Sequence, residues 1–130
     1  MSTSATVKLR FRPYASNEAP QWHEVKAWIV GDLAIHRPAF LCPEREGGGL
    51  SIFKDRWTVS HIPTGDSVES GLPARFWERT GKCTAKQREL AAWARAFQDA
   101  CPDFFAAAAT GDTDKMRALV TEARRIARGL

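Results

Sequence analysis

The sequence has only three cysteines, Cys42, Cys83 and Cys101, and no two of them stand at metal-ligand or redox spacing. An odd count without paired spacing argues against a disulfide framework and predicts reduced thiols. No apolar run approaches the roughly 20 residues that a membrane helix needs, so a membrane partner is not expected. The opening MSTSATVKLRFR lacks the apolar core of a signal peptide, and a cytoplasmic location is the expectation. There is no internal repeat, and the only biased tract is the short alanine run at 106–109. The glycines at 47–49 have neither phosphate-loop spacing nor a following Lys-Ser/Thr pair, and no helix is expected after them. Charge of one sign is also scarce. The 19 Lys+Arg exceed the 15 Asp+Glu by four. Residues 1–80 hold ten basic and nine acidic side chains, and 81–130 hold nine and six, so the excess sits mainly in the second half. It permits an anionic partner without arguing for one.

Aromatic residues are plentiful by contrast, with five Trp and seven Phe in 130 residues. That length suits one domain with one core, and a small domain has difficulty hiding so many large rings. The pattern divides the chain into a β half at 6–69 and a helical half at 73–130, read as one domain spanning 1–130. Val7, Leu9 and Phe11 alternate with Lys8, Arg10 and Arg12, the period of a half-buried strand over 6–12. Strands are expected at 22–30 and 33–37, joined by Gly31-Asp32, a tight hairpin turn. A second hairpin is expected from 50–54 and 56–62, turning near Asp55. Within it Trp57, Val59 and His61 share one face, and Thr58, Ser60 and Ile62 share the other.

After Gly71 the period changes. Pro73 and Gly81 bracket a short helix expected at 73–80. Thr84 and Gln87 match a capping box opening a helix to about Cys101, with Leu90, Trp93, Ala94, Phe97 and Cys101 on one face. Pro102 starts a helix that ends at Gly111, and Asp112 caps the last one. Its stripe is Met116, Leu119, Val120, Ala123, Ile126 and Ala127. The reading is an α+β fold: an antiparallel sheet of about five strands, a simple meander, packed on one face by three to four C-terminal helices. The opposite sheet face is then expected to meet solvent, a partner or a second copy.

None of the chemistry-bearing residues forms a recognisable constellation. His23, His36 and His61 show no paired metal-ligand spacing and are expected to be ordinary strand histidines. Cys83 precedes a helix, where a thiol can be activated, but no histidine is implied beside it. Ser60, His61 and Asp66 are close in sequence, yet alternation sends Ser60 and His61 to opposite faces and no nucleophile elbow surrounds the serine. An enzyme would need His23, His36 or His61 to meet a cysteine or carboxylate in a concave pocket. Nothing in the spacing predicts that, so neither an enzyme nor a cofactor is expected.

Arg56-Trp57-Thr58-Val59-Ser60-His61-Ile62-Pro63-Thr64-Gly65 resembles a hairpin pattern of small uncharacterised proteins from bacteriophages and other mobile elements. The resemblance implies a phage protein that inhibits host defence, as anti-CRISPR proteins do by docking on a nuclease complex or its nucleic-acid channel. The net charge of +4 departs from the acidic DNA mimics among such inhibitors. The expectation is a non-enzymatic protein that binds a host protein or ribonucleoprotein complex. Its candidate contacts are Trp22, Lys26 and Trp28 on the second strand, Arg45 and Glu46 in the glycine loop, and Arg117, Arg124, Arg125 and Arg128 on the last helix, since aromatics and Arg are the usual interface anchors. The alternative is single-stranded DNA or RNA binding through basic and aromatic residues of a sheet face. A homodimer through an edge strand or an uncovered sheet face is a further expectation.

Overall fold

Alternating apolar residues need two surfaces to bury against, and the first half of the chain supplies both. The structure is a computed structural model that describes residues 3–13, 18–42 and 47–130. Strands β1 (Thr3–Phe11) and β2 (Gln21–Val30) pair antiparallel in a register that runs from Thr3↔Ile29 to Phe11↔Gln21. Gly31 takes a φ of 59° and turns β2 into β3 (Leu33–His36), as its sequence predicts. The next two strands, β4 (Ala39–Leu41) and β5 (Leu50–Ile52), form a separate two-stranded sheet. Strand β6 (Thr58–His61) then returns to the first sheet and pairs with β3, giving the order β1-β2-β3-β6.

The hairpin expected between 50–54 and 56–62 is therefore not formed. Strand β5 pairs with β4, and β6 pairs with β3. All four residues of β6 and all four of β3 are buried. Strand β6 needs cover on both faces, which β5, half-exposed, does not share. The alternation expected over 57–62 holds. Val59 lies in the core under the helices with the partly buried Trp57 packed against it, and the partly buried Ile62 packs against the core on the other face.

The second half forms helices α1 (Gln87–Ala100), α2 (Pro102–Thr110) and α3 (Thr113–Arg128). The stripe Leu90, Trp93, Ala94 and Phe97 is buried. Complete burial of Leu90 alone is worth about 1.5–3 kcal/mol relative to exposure. The start of α1 lies two residues beyond the expected Thr84 cap. Lys86 is the N-cap, and the Glu89 carboxylate accepts its backbone N–H at 2.9 Å. Gly111 ends α2 in the left-handed region, and the Asp112 carboxylate caps α3 by accepting the Lys115 N–H at 3.1 Å.

The helix expected at 73–80 is absent. Single 3₁₀ turns occupy Glu69–Gly71 and Ala74–Phe76, and Trp77 is extended. The backbone here bonds across a loop instead of along a helix. Thr84 N–H donates to the Phe76 carbonyl at 2.8 Å, and Trp77 bridges Cys83.

Leu33, Ile35 and Val59 face Leu90, Trp93, Phe97, Phe105, Ala123 and Ala127 in the core between sheet and helices. The opposite face of the sheet is not open, contrary to the sequence expectation. Leu9, Phe11, Ala27 and Ala34 on that face pack with Leu41 of β4, and Ala39 and Leu50 add to this second core. The small β4–β5 sheet is the cover. Among the described residues, no helix is long and apolar enough to cross a membrane.

Candidate functional site

The exposed part of the sheet is the outer half of the helix-side face. Helix α1 lies against β2, β3 and β6. Beyond its reach, alternation turns Lys8 and Arg10 of β1 and Trp22, Glu24 and Lys26 of β2 to the same side, with Arg10↔Trp22 and Lys8↔Glu24 directly opposite each other. Lys8, Glu24 and Lys26 are exposed, and Trp22 is 51% exposed. Trp22 is nevertheless held. A Cβ built on Gly65 would lie 2.6 Å from the Trp22 ring and 2.8 Å from Arg10 Cγ, so both side chains lie against that glycine. The Arg10 guanidinium in turn meets the Asp66 carboxylate at 3.4 Å. The indole thus has one side against the turn and much of its surface in water.

The other expected contact residues are dispersed. Trp28 is half-buried and packs against the helix-side core, so it is structural. Arg45 and Glu46 lie outside the described residues. Arg117, Arg124, Arg125 and Arg128 are all exposed on α3, yet two of them serve the fold. Arg125 Nε donates to the Glu122 carboxylate at 2.9 Å, and Arg128 Nε donates to the Ser70 carbonyl at 2.9 Å. Arg124 edges an apolar groove of about 260 Å³ that includes Met116, Val120, Phe104 and His61. Ile52 and Phe53 are a second exposed apolar spot, where the Arg56 guanidinium covers the Phe53 ring at 4.5 Å.

A polar cleft of about 600 Å³ opens on the sheet face opposite Trp22. It exists because the sheet curls. Arg10 N–H on the free edge of β1 donates to the Gly65 carbonyl at 2.9 Å, and Ser60 of β6 bridges Ser67. The segment after β6 thus reaches β1. Arg10, Arg12, Asp66, Ser67 and Glu69 line the cleft together with Phe11, His36, Thr58 and Ser60.

His36 Nε2 and Ser60 Oγ are 2.8 Å apart, and His36 Nδ1 is 2.8 Å from the Arg37 carbonyl. Phe11 meets the His36 ring edge-on, with centroids 5.9 Å apart. Burial pushes the His36 pKa below its usual value, and the bond to the Arg37 carbonyl only partly offsets this. Burial pushes the Glu69 carboxyl the other way, upward. Among the described residues, the buried Thr58 hydroxyl has no partner.

Ser60 and His61 do point to opposite faces. His61 Nδ1 pairs with Thr64 Oγ1 at 2.9 Å, and its ring lies 5.9 Å from that of Phe105. The histidine that Ser60 meets is His36, on the neighbouring strand. Sequence reasoning missed this pair. The signal was the β3–β6 register, which sets Ala34 opposite Ser60 and His36 opposite Thr58.

Burial raises the pKa of Cys83 and of Cys101, which keeps both as thiols. Among the described residues, no group of three or more His, Cys, Asp or Glu side chains is placed to hold a metal ion. No family model matches the chain, and no match to it was found among curated proteins or solved structures.

Proposed function

We propose that the chain is a binding protein that acts by occupying a site on a larger macromolecule, and that the β1–β2 face around Trp22 makes the contact. The observation that carries this reading is the half-exposed indole of Trp22, resting against Gly65 and flanked by Arg10. A rigid aromatic beside an arginine loses little conformational entropy on binding, and such residues dominate interface energetics. The resemblance of the segment 56–65 to phage and mobile-element proteins gives the setting: the partner is a host protein or ribonucleoprotein complex, and binding blocks it.

The test is affinity capture from host lysate with the wild-type chain and with a Trp22→Ala, Lys26→Glu double variant, read by mass spectrometry. Both substituted positions are exposed or half-exposed, so the double variant should remain folded. Loss of one abundant protein partner in the variant is the expected result. An unchanged set of captured proteins would refute the reading.

The second reading is single-stranded nucleic acid binding, favoured by Lys8, Arg10 and Lys26 on the same face as Trp22. Stacking on one indole and phosphate attraction would then supply affinity. It predicts a fluorescence-anisotropy titration that weakens steeply with salt, and a flat titration at low salt removes it.

A further inference from the structure

The hydrogen bonds of His36 fix which of its nitrogens carries the proton. A carbonyl oxygen only accepts, so the bond to the Arg37 carbonyl makes Nδ1 the donor. Nε2 of the neutral ring is then an acceptor, and Ser60 Oγ–H donates to it across 2.8 Å. This is the arrangement of an activated nucleophile: a hydroxyl bonded to a base, and the base oriented by a third group. Both side chains lie at the floor of an open cleft, although little of either surface is exposed.

Thr58 supplies an independent observation. It precedes Ser60 by two residues on β6 and therefore points to the same face, with its Cα about 7 Å away. Thr58 lines the same cleft, and among the described residues its buried hydroxyl has no hydrogen-bond partner. A buried hydroxyl without a partner is costly, and here it is an O–H donor left over beside the nucleophile. An oxyanion forming at a carbonyl attacked by Ser60 would satisfy it.

We propose that Ser60 and His36 are a nucleophile–base pair and that the cleft hydrolyses small carboxylic esters by acyl transfer, with the Thr58 hydroxyl donating to the oxyanion. Ser60 Oγ bonds to the acyl carbon as its proton passes to His36 Nε2. The carbon–alkoxide bond breaks and the alkoxide takes that proton, leaving as an alcohol. Water then attacks the Ser60 ester and gives its proton to His36. The acid departs and Ser60 recovers its proton. This activity goes beyond the docking role of Trp22, and the residues that test it, His36, Thr58 and Ser60, lie on the sheet face opposite Trp22.

The experiment treats the full chain with a fluorophosphonate probe, locates the adduct by tandem mass spectrometry, and measures hydrolysis of a small chromogenic ester. In the labelling step Ser60 Oγ bonds to phosphorus, fluoride leaves and the proton goes to His36. A single adduct at Ser60 is expected. Ser60→Ala abolishes it, and His36→Gln slows labelling by about 10²-fold or more. Thr58→Val slows ester turnover by about 10²-fold. Ser4→Ala, at an exposed position of β1 outside the cleft, leaves both readouts unchanged.

Among the described residues, the charged groups lining the cleft are Arg10, Arg12, Asp66 and Glu69. With burial holding His36 neutral, the labelling rate should climb with pH and level off below pH 6.5. Absence of a Ser60 adduct in the wild-type chain overturns the proposal whatever the variants do. So does labelling that is independent of His36, or ester turnover that Ser60→Ala retains.

Discussion

Gln98 on α1 clamps the hairpin turn at Asp32. Its side-chain oxygen accepts the Asp32 backbone N–H at 2.8 Å, and its side-chain nitrogen donates to the Val30 carbonyl at 2.7 Å. The same amide closes over Gly31, where an added Cβ would fall 2.3 Å from Gln98 Oε1. One polar side chain thus joins the helical half to the sheet across more than sixty residues of sequence. Gln98→Ala leaves a donor and an acceptor of the turn without partners. We expect a loss of about 1–3 kcal/mol, measured by urea unfolding. Gln98→Glu keeps the acceptor for Asp32 but loses the donor to Val30, so it should also be destabilised. An unchanged unfolding midpoint for Gln98→Ala would mean that the turn needs no clamp.

Local periodicity made much of this fold legible. The stripe Leu90, Trp93, Ala94 and Phe97 and the turn at Gly31 follow from spacing and from one glycine's conformational freedom. The packing of the helices on one sheet face also follows from their apolar stripes, but the pairing of β4, β5 and β6 and the cover of the second sheet face do not. Strands β4 and β5 have three residues each, too short for a period, so neither their pairing nor their role as cover was visible. Hairpins are the commonest connection, so sequence order alone pairs β6 with its neighbour β5, although burial on both faces calls for pairing with β3. Pro73 and Gly81 punctuated the segment 73–80 correctly, but helix was the wrong filling, since Trp77 and Cys83 bridge across it. The candidate site divides in the same way. Trp22 and Lys26 were readable as the exposed phase of an alternating strand. His36 and Ser60 are 24 residues apart, and only the β3–β6 register brings them together.

Gly65 tests whether Trp22 is held from below. Its φ of +73° is strained for any L side chain, and its missing Cβ makes room for Trp22 and Arg10. Gly81 has a similar φ of +81° but nothing within 4 Å of the Cβ position. Gly81→Ala therefore reports backbone strain alone, about 1 kcal/mol or somewhat more. Gly65→Ala adds displacement of both side chains, so we expect it to be the more destabilising of the two. It should also shift the indole N–H resonance of Trp22 and weaken partner binding, whereas Gly81→Ala should do neither. Equal stability of the two variants, with an unmoved Trp22 resonance, would show that the indole does not rest on the turn.

The two buried histidines set the acid limit of the fold. Burial pushes His36 and His61 below their ordinary 6.5, with Asp32 and Asp66 partly opposing the shift at His61. Between pH 6.5 and the folded values, the unfolded chain binds protons that the native chain refuses. Each histidine's contribution is therefore fully present above about pH 6.5 and is lost as pH falls through its folded pKa, with a slope of up to about 1.4 kcal/mol per pH unit for each proton. Glu69 has the opposite sign. Its carboxyl is raised above 4.5 by burial, so its contribution is complete below 4.5 and declines as pH rises through its folded pKa. It softens the acid limb without reversing it, since one carboxyl opposes two histidines. We expect the urea midpoint to be flat from pH 7 to 8 and to fall as the pH drops below 6.5. His36→Gln should lower stability at pH 7 but flatten the fall by one proton's worth. A midpoint that rises on acidification through that window would mean that neither histidine is held neutral by the fold.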